Sequence, residues 1–64
     1  MFDSIKFRRS RIAHGFTQEE LAKLSGITKV TISELENRRR DNVTLDTLSK
    51  LAKPLEMKPA ELLK

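Results

Sequence analysis

Residues 17–37 read TQEELAKLSGITKVTISELEN, a pattern that predicts two short helices joined by a tight turn. Thr17 and Glu20 have the spacing of a capping box, because the threonine hydroxyl can accept from the third helical N–H group and the glutamate can reach back. Gly26 is expected to end this helix, since glycine takes the left-handed conformation at little cost. Thr28 is a residue type that caps the start of the next helix.

Apolar residues in this stretch mark the sides of the two helices that should be buried. Leu21 and Leu24 are expected to face inward from the first helix, with Ala22 allowing a neighbouring helix to come close. Ile32 and Leu35, three residues apart, define the buried side of the second helix. The residues left largely outside are Lys29, Val30, Thr31, Ser33 and Glu34. A helix, a glycine-containing turn and a second helix form the helix-turn-helix arrangement, with its core at about residues 17–37.

Further short helices are predicted on both sides of this core. One should run from about Asp3 to His14, with Gly15 as its stop and with apolar positions at Ile5, Phe7 and Ile12. Thr44 should cap a fourth helix, whose apolar positions are Leu45, Leu48, Leu51, Ala52 and Leu55. Pro54 should kink or shorten that helix, and Pro59 fits the first position of a short fifth one. The expected fold is all-α, a compact bundle of four to five helices forming one domain over residues 1–64.

The composition excludes several kinds of functional site. The chain has 64 residues and no cysteine, so it has no disulfide, no thiolate zinc ligand and no cysteine nucleophile. His14 is the only histidine, and no glycine-rich phosphate loop is present. Because neither a catalytic set nor a ligand cluster can be assembled, we expect no enzyme activity, no metal and no cofactor.

The charge distribution favours a polyanion as the partner. Residues 1–40 hold nine of the thirteen Lys and Arg residues and five of the nine Asp and Glu residues, so the net charge of +4 lies in this part. A basic first part and a neutral last part suggest one surface for a polyanion and another for structure or a protein partner. The alternative interpretation is that these basic residues only keep the protein soluble and bind no partner. No stretch approaches the ~18 apolar residues of a membrane span, and a cytoplasmic protein without membrane contact is expected.

The helix-turn-helix arrangement suggests that the polyanion is double-stranded DNA. In this arrangement the first helix braces the second, which presents its polar side to the major groove. That groove is ~12 Å wide, admits one α-helix and shows a distinct donor and acceptor pattern for each base pair. When bound to DNA, the protein would be associated with the nucleoid.

Four segments resemble the phage Cro and repressor family of helix-turn-helix proteins, also called the xenobiotic-response-element type. These segments are residues 17–28, 31–37, 44–52 and 60–63. The first two hold Gln, Leu-Ala, Gly, Ile and Glu-Asn in the family's register, and the last two match its fourth and fifth helices. The resemblance extends from about Phe7 to Leu63 and implies a lambda-repressor-like DNA-binding domain.

The resemblance also implies roles for individual residues. The positions that reach base edges are Lys29, Val30, Thr31, Ser33 and Glu34. The positions that touch the phosphate backbone are Gln18, Thr28, Asn37, Arg38, Arg39 and Arg40. Chemically, Lys29 can donate to guanine, Val30 can contact a thymine methyl group, and Glu34 can accept from cytosine N4. Glu34 can equally repel DNA, and the arginine run can be a solvated loop, so these alternatives stay open.

Other positions bear on structure rather than on DNA. Arg11 and Glu36 occupy positions that in relatives form a salt bridge between the first and third helices. Arg38 stands where the family usually has glycine, so a positive φ at this residue would be strained. Pro54 stands where a relative usually has alanine.

The predicted function is sequence-specific regulation of transcription, in particular repression, by a homodimer. Each subunit would place its third helix on one half of a palindromic operator, with half-sites about 34 Å apart. The dimer would form through the C-terminal helices, by way of Leu55, Met57, Leu62 and Leu63. The alternative is an antitoxin-type or other protein-partner module that uses DNA binding for its own control. Such a module needs an exposed apolar patch or a tail, and the absence of a tail after Lys64 favours the regulator.

Overall fold

The computed structural model describes all 64 residues as a helical bundle, which confirms the all-α prediction. Its elements, in chain order, are α1 (Ser4–Ala13), α2 (Gln18–Ser25), α3 (Lys29–Glu36), α4 (Leu45–Ala52) and a single 3-10 turn, η1 (Pro59–Leu62). The only β-type pairing is an isolated antiparallel bridge between Phe2 and Leu63. None of the helices combines the length and apolar character required to cross a membrane.

Each α-helix begins at a side-chain cap, as the residue types predict. The Thr17 hydroxyl accepts from the Glu20 N–H at 3.0 Å, and the Glu20 carboxylate accepts from the Thr17 N–H at 2.9 Å. Thr28, Thr44 and Asp3 cap α3, α4 and α1 through the first of these bonds alone, by accepting from the N–H of the residue three positions later. Since a cap of this type contributes about 1 kcal/mol, the four caps define where the short helices start.

The hydrophobic core joins all five elements. Its buried members are Phe2, Phe7, Leu21, Ile32, Leu35, Leu48, Leu51, Ala52, Leu55 and Leu62. Phe2 packs edge-on against Phe7, with ring centroids 5.2 Å apart. The Asp3 N–H donates to the Leu62 carbonyl, and the Lys64 N–H donates to the Met1 carbonyl. The two ends of the chain are therefore held together, and the C-terminal turn closes the core.

Several apolar residues predicted to be core positions are exposed. Leu24 was expected to face inward, but it is 58% exposed, because α2 packs through Leu21 and Ser25, which lie four residues apart. On α1, the buried face contains Ser4 and Phe7, whereas Ile5 and Ile12 lie seven residues apart on a different face and are exposed. Leu45, in the first turn of α4, is also exposed.

The C-terminal region differs from prediction in a way that affects the proposed dimer patch. Helix α4 ends at Ala52, two residues before Pro54, so Leu55 lies in the following turn and not on the helix. Leu55 and Leu62 are 1% and 0% exposed and belong to the core. They cannot form a dimer surface, and the prediction was wrong for both, because apolar residues near the end of a small chain are needed to close its core. Pro59 does open the last element, as predicted.

The end of α3 is a Schellman motif built on a non-glycine residue. The Arg39 N–H donates to the Glu34 carbonyl at 2.9 Å, and the Arg38 N–H donates to the Leu35 carbonyl at 3.4 Å. Arg38 lies between these bonds with φ 60°, the left-handed conformation in which glycine is usual. Its side chain reaches α1, where Nε donates to the Ser4 hydroxyl at 3.3 Å. The positive φ that would strain a non-glycine residue is therefore present at Arg38.

We predict that Arg38→Gly is more stable than Arg38→Ala by about 1 kcal/mol, because a Cβ atom makes the left-handed conformation unfavourable. Both variants lose the guanidinium group and its bond to Ser4, so the comparison isolates the backbone. Urea unfolding followed by circular dichroism measures the difference. Equal stabilities would show that the positive φ at this residue is not strained.

Candidate nucleic-acid interface

The turn between α2 and α3 sets the relative orientation of the two helices. Gly26 ends α2 in the left-handed conformation with φ 76°, and its N–H donates to the Ala22 carbonyl. The Ser25 hydroxyl then accepts from the Ile27 N–H at 3.1 Å. Ile27 packs against the core, and Thr28 caps α3 directly after it. This compact turn leaves α3 free to pack with one side and to expose the other.

Helix α3 is attached to the core through Ile32 and Leu35, which are both buried. On its outer side, one shallow concavity is lined by Lys29, Val30, Ser33, Glu34 and Arg39. Four of these are among the predicted base-contacting residues, and Val30, in the first turn of the helix, is 68% exposed. The exposed side of α3 therefore combines a cation, an apolar side chain, a hydroxyl and a carboxylate within two helical turns.

Thr31, the fifth predicted base-contacting residue, does not line this concavity. It is half-buried, and its N–H and hydroxyl both contact the Thr28 hydroxyl, at 3.2 and 3.0 Å. The two threonines form the cap of α3. Thr28 was predicted to touch phosphate, but in this structure its hydroxyl group lies in that cap.

A polar depression lies at the start of α2. It is lined by Arg11, Thr17, Gln18, Glu19 and Lys29. The N–H groups of a helix N-terminus favour an anion at such a place. The Lys29 ammonium group lies 3.5 Å from Glu19, and both side chains are largely exposed. The geometry suits a phosphate group next to the exposed side of α3.

Arg11 and Glu36 form a bidentate ion pair between α1 and α3. Arg11 Nε lies 2.6 Å from Glu36 Oε2, and Nη2 lies 3.0 Å from Oε1. Arg11 Nη1 also donates to the Phe16 carbonyl at 2.7 Å, and the Gln18 amide donates to Glu36 at 3.3 Å. The two side chains are only 12% and 5% exposed. Arg11 thus points inward and ties both α1 and the start of α2 to the end of α3.

The three consecutive arginines have different partners. Arg38 reaches Ser4 on α1, Arg39 lines the concavity on the exposed side of α3, and Arg40 lies 3.0 Å from the Glu34 carboxylate. Sequence reasoning treated them as one group of phosphate contacts. The bonds to Ser4 and Glu34 have no signal in the sequence, because they depend on how the chain reverses after α3.

Asn37, another predicted phosphate contact, is exposed at the C-terminal cap of α3. Its amide donates to the Ser33 hydroxyl at 3.3 Å, one turn earlier. Two further arginines, Arg8 and Arg9, are exposed on α1, and each borders a depression that also includes Arg38.

Comparison with known proteins identifies a family and several relatives. Residues 7–62 match the family model HTH_3, described as helix-turn-helix. Antitoxin HipB of Escherichia coli strain K12 is 49% identical over 47 residues, which make up 73% of this chain and 52% of that protein. HipB of E. coli O6:H1 strain CFT073 is 47% identical over the same number of residues. This chain spans about half the length of these curated relatives.

Solved structures share the whole arrangement of helices. The restriction-modification controller protein C.AhdI from Aeromonas hydrophila superposes with a TM-score of 0.85 at 38% identity, over 94% of this chain and 89% of that chain. The N-terminal DNA-binding domain of the biofilm regulator SinR from Bacillus subtilis superposes with a TM-score of 0.88 at 25% identity, over 100% and 91%. The resemblance seen in the sequence is therefore confirmed by fold and by family.

We predict that Arg11→Met or Glu36→Leu destabilises the protein by about 3–5 kcal/mol, because each substitution leaves the other member of the pair buried and charged without a partner. The double variant should be more stable than the sum of the single losses implies, since it removes both charges together. Urea unfolding of the four proteins measures this coupling.

The exposed pair Lys29–Glu19 serves as the control. Glu19→Ala should cost less than about 1 kcal/mol, as solvent-exposed pairs do. If the loss of stability in the double variant equalled the sum of the losses in Arg11→Met and Glu36→Leu, the structural role of the pair would be contradicted.

Proposed function

Because this chain belongs to the helix-turn-helix family HTH_3 of DNA-binding regulators, we propose that it binds a specific operator by inserting α3 into the major groove. The supporting observation is the exposed side of α3, where Lys29, Val30, Ser33 and Glu34 project together from a helix held from behind by Arg11 and Glu36. An α-helix with its side chains is about 10–12 Å in diameter, which suits a groove ~12 Å wide. We place this activity in the cytoplasm, at the nucleoid when the protein is bound.

The side chains of α3 match particular base edges. Lys29 donates to guanine O6 and N7, and Val30 contacts a thymine methyl group. Ser33 and Glu34 lie one turn further along, where the Glu34 carboxylate accepts from the exocyclic amino group of cytosine. The Thr31 methyl group contributes an apolar contact at the edge of this surface.

The phosphate backbone is held at two places that flank α3. Gln18 and Thr28 lie at the starts of α2 and α3, where helix N–H groups favour an anion. Asn37 and Arg39 lie beyond the other end of α3, and Arg39 extends toward the concavity itself. These contacts would orient α3, while its own side chains would select the sequence.

We propose that the active form is a homodimer on a palindromic operator, with one α3 in each half-site. The apolar residues available near the C-terminus are Met57, which is half-buried, and Leu63, which is 41% exposed. Repression would follow where such an operator overlaps a promoter.

An antitoxin role is a second candidate, favoured by the 49% identity to HipB over 47 residues. In that role the protein would neutralise a toxin and regulate its own gene through α3. Co-expression with the product of the adjacent gene tests this role. Growth arrest relieved by this protein supports an antitoxin, whereas no arrest, or arrest without relief, contradicts it.

The experiment that tests the main proposal is selection of bound sites from a random double-stranded DNA library, followed by sequencing. Enrichment of one inverted repeat supports a dimeric, sequence-specific regulator. Enrichment of a single half-site supports sequence reading without the dimer. If no sequence is enriched at moderate salt, specific regulation is overturned.

On the selected operator, we predict that Lys29→Ala weakens binding by about five- to 150-fold, which corresponds to the 1–3 kcal/mol of one good contact to a base. The loss should disappear on an operator in which the guanine opposite Lys29 is replaced. Fluorescence anisotropy titration measures both affinities.

Lys53→Ala is the matched control for this variant. Lys53 is an exposed lysine that follows α4, beside Leu24 and Pro54 and away from α3. Its removal changes the net charge by the same amount and should leave operator affinity nearly unchanged. Equal losses in the two variants would indicate that Lys29 contributes only general charge.

A further inference from the structure

Glu34 and Arg40 form an ion pair on the surface that we propose reads DNA. Glu34 Oε1 lies 3.0 Å from Arg40 Nη2. Glu34 Oε1 is shielded from water and accepts no hydrogen bond, so its contact with Arg40 is that of an ion pair. Glu34 nevertheless lines the concavity on the exposed side of α3, together with Lys29 and Val30. One carboxylate oxygen is thus shielded beside a cation, while the side chain belongs to the candidate reading surface.

The pair exists because of the turn that ends α3. If α3 continued as a helix, residues six positions apart would lie on different sides of it. Instead, Arg38 takes a positive φ, the Arg39 N–H donates to the Glu34 carbonyl, and the chain reverses. Arg40 is thereby carried back alongside Glu34. The same turn that terminates the helix positions a cation against its last exposed carboxylate.

We propose that Arg40 is a positioning residue that makes Glu34 a reader of cytosine. This inference rests on the function proposed above and assigns the specificity of one base pair to the pair Glu34–Arg40. The Arg40 guanidinium lies against the shielded Oε1 and orients the carboxylate so that Oε2 accepts from the amino group of cytosine in the major groove. Its positive charge also offsets the repulsion that an isolated carboxylate would experience from the phosphates.

A direct phosphate contact by Arg40 leads to different expectations. A lysine or arginine that neutralises a phosphate contributes equally on every sequence, and its loss lowers the salt dependence of binding by about one ion. A residue that positions Glu34 affects the preference only at the base pair that Glu34 contacts. The two roles are therefore separable by comparing operators.

The test is a double-mutant cycle with the wild-type protein, Glu34→Ala, Arg40→Gln and the double variant. Affinities are measured on the selected operator and on versions in which each base pair of one half-site is replaced. We expect both single variants to lose preference for cytosine at the same base pair, by at least about fivefold. The double variant should lose no more preference than either single variant.

Arg39→Gln is the matched control, because it removes the same charge one residue away from the pair. It should weaken binding to every operator and keep the preference at the Glu34 position. Since both side chains of the pair are substantially exposed, Arg40→Gln should unfold in urea nearly as the wild type does.

Two outcomes would overturn the inference, and they are distinguishable. A uniform loss of affinity in Arg40→Gln, additive with Glu34→Ala and accompanied by a reduced salt dependence, would assign Arg40 to a phosphate and leave the proposed function standing. A wild-type protein that selects no operator would overturn the proposed function, and this inference with it.

Discussion

The ion pair between Arg11 and Glu36 is the interaction on which the arrangement of helices depends. Glu36 is the last residue of α3, and its carboxylate is almost fully withdrawn from water. A buried carboxylate requires a partner, and the Arg11 guanidinium supplies two bonds to it while donating a third to the Phe16 carbonyl. The pair thus fixes α3 against α1 and against the segment that leads into α2. Because it fixes the rotation of α3 about its own axis, it also fixes which side chains remain outside.

Positive charge in this chain serves several purposes, and net charge alone does not separate them. Arg11 is internal, Arg38 supports the turn through Ser4, and Arg40 lies against Glu34. Lys29 and Arg39 border the exposed side of α3 and remain the cations best placed for a polyanion there. A basic stretch that suggests one extended binding surface is therefore divided between structure and recognition.

Features set by neighbouring residues were predicted well. The caps at Thr17, Thr28 and Thr44 and the left-handed Gly26 depend on groups within a few residues, so residue type and spacing are enough to place them. Burial was predicted less well. Leu24 on α2 and Ile12 on α1 have the spacing of buried apolar residues, yet both are exposed. In a short helix the spacing shows which side chains share a face, but it does not show which face packs against the core.

The sequence by itself determined the order of the helices, the turn between α2 and α3, and the family to which the chain belongs. The helices and the turn follow from local hydrogen bonding and conformational preference, which act within a few residues, whereas the family follows from the resemblance of the sequence to known helix-turn-helix proteins. Only the tertiary structure decided that Leu55 and Leu62 close the core and that Arg38 and Arg40 reach Ser4 and Glu34. Those contacts depend on how separate elements pack and on the path of the chain after α3, and nothing in the spacing of the residues encodes that path.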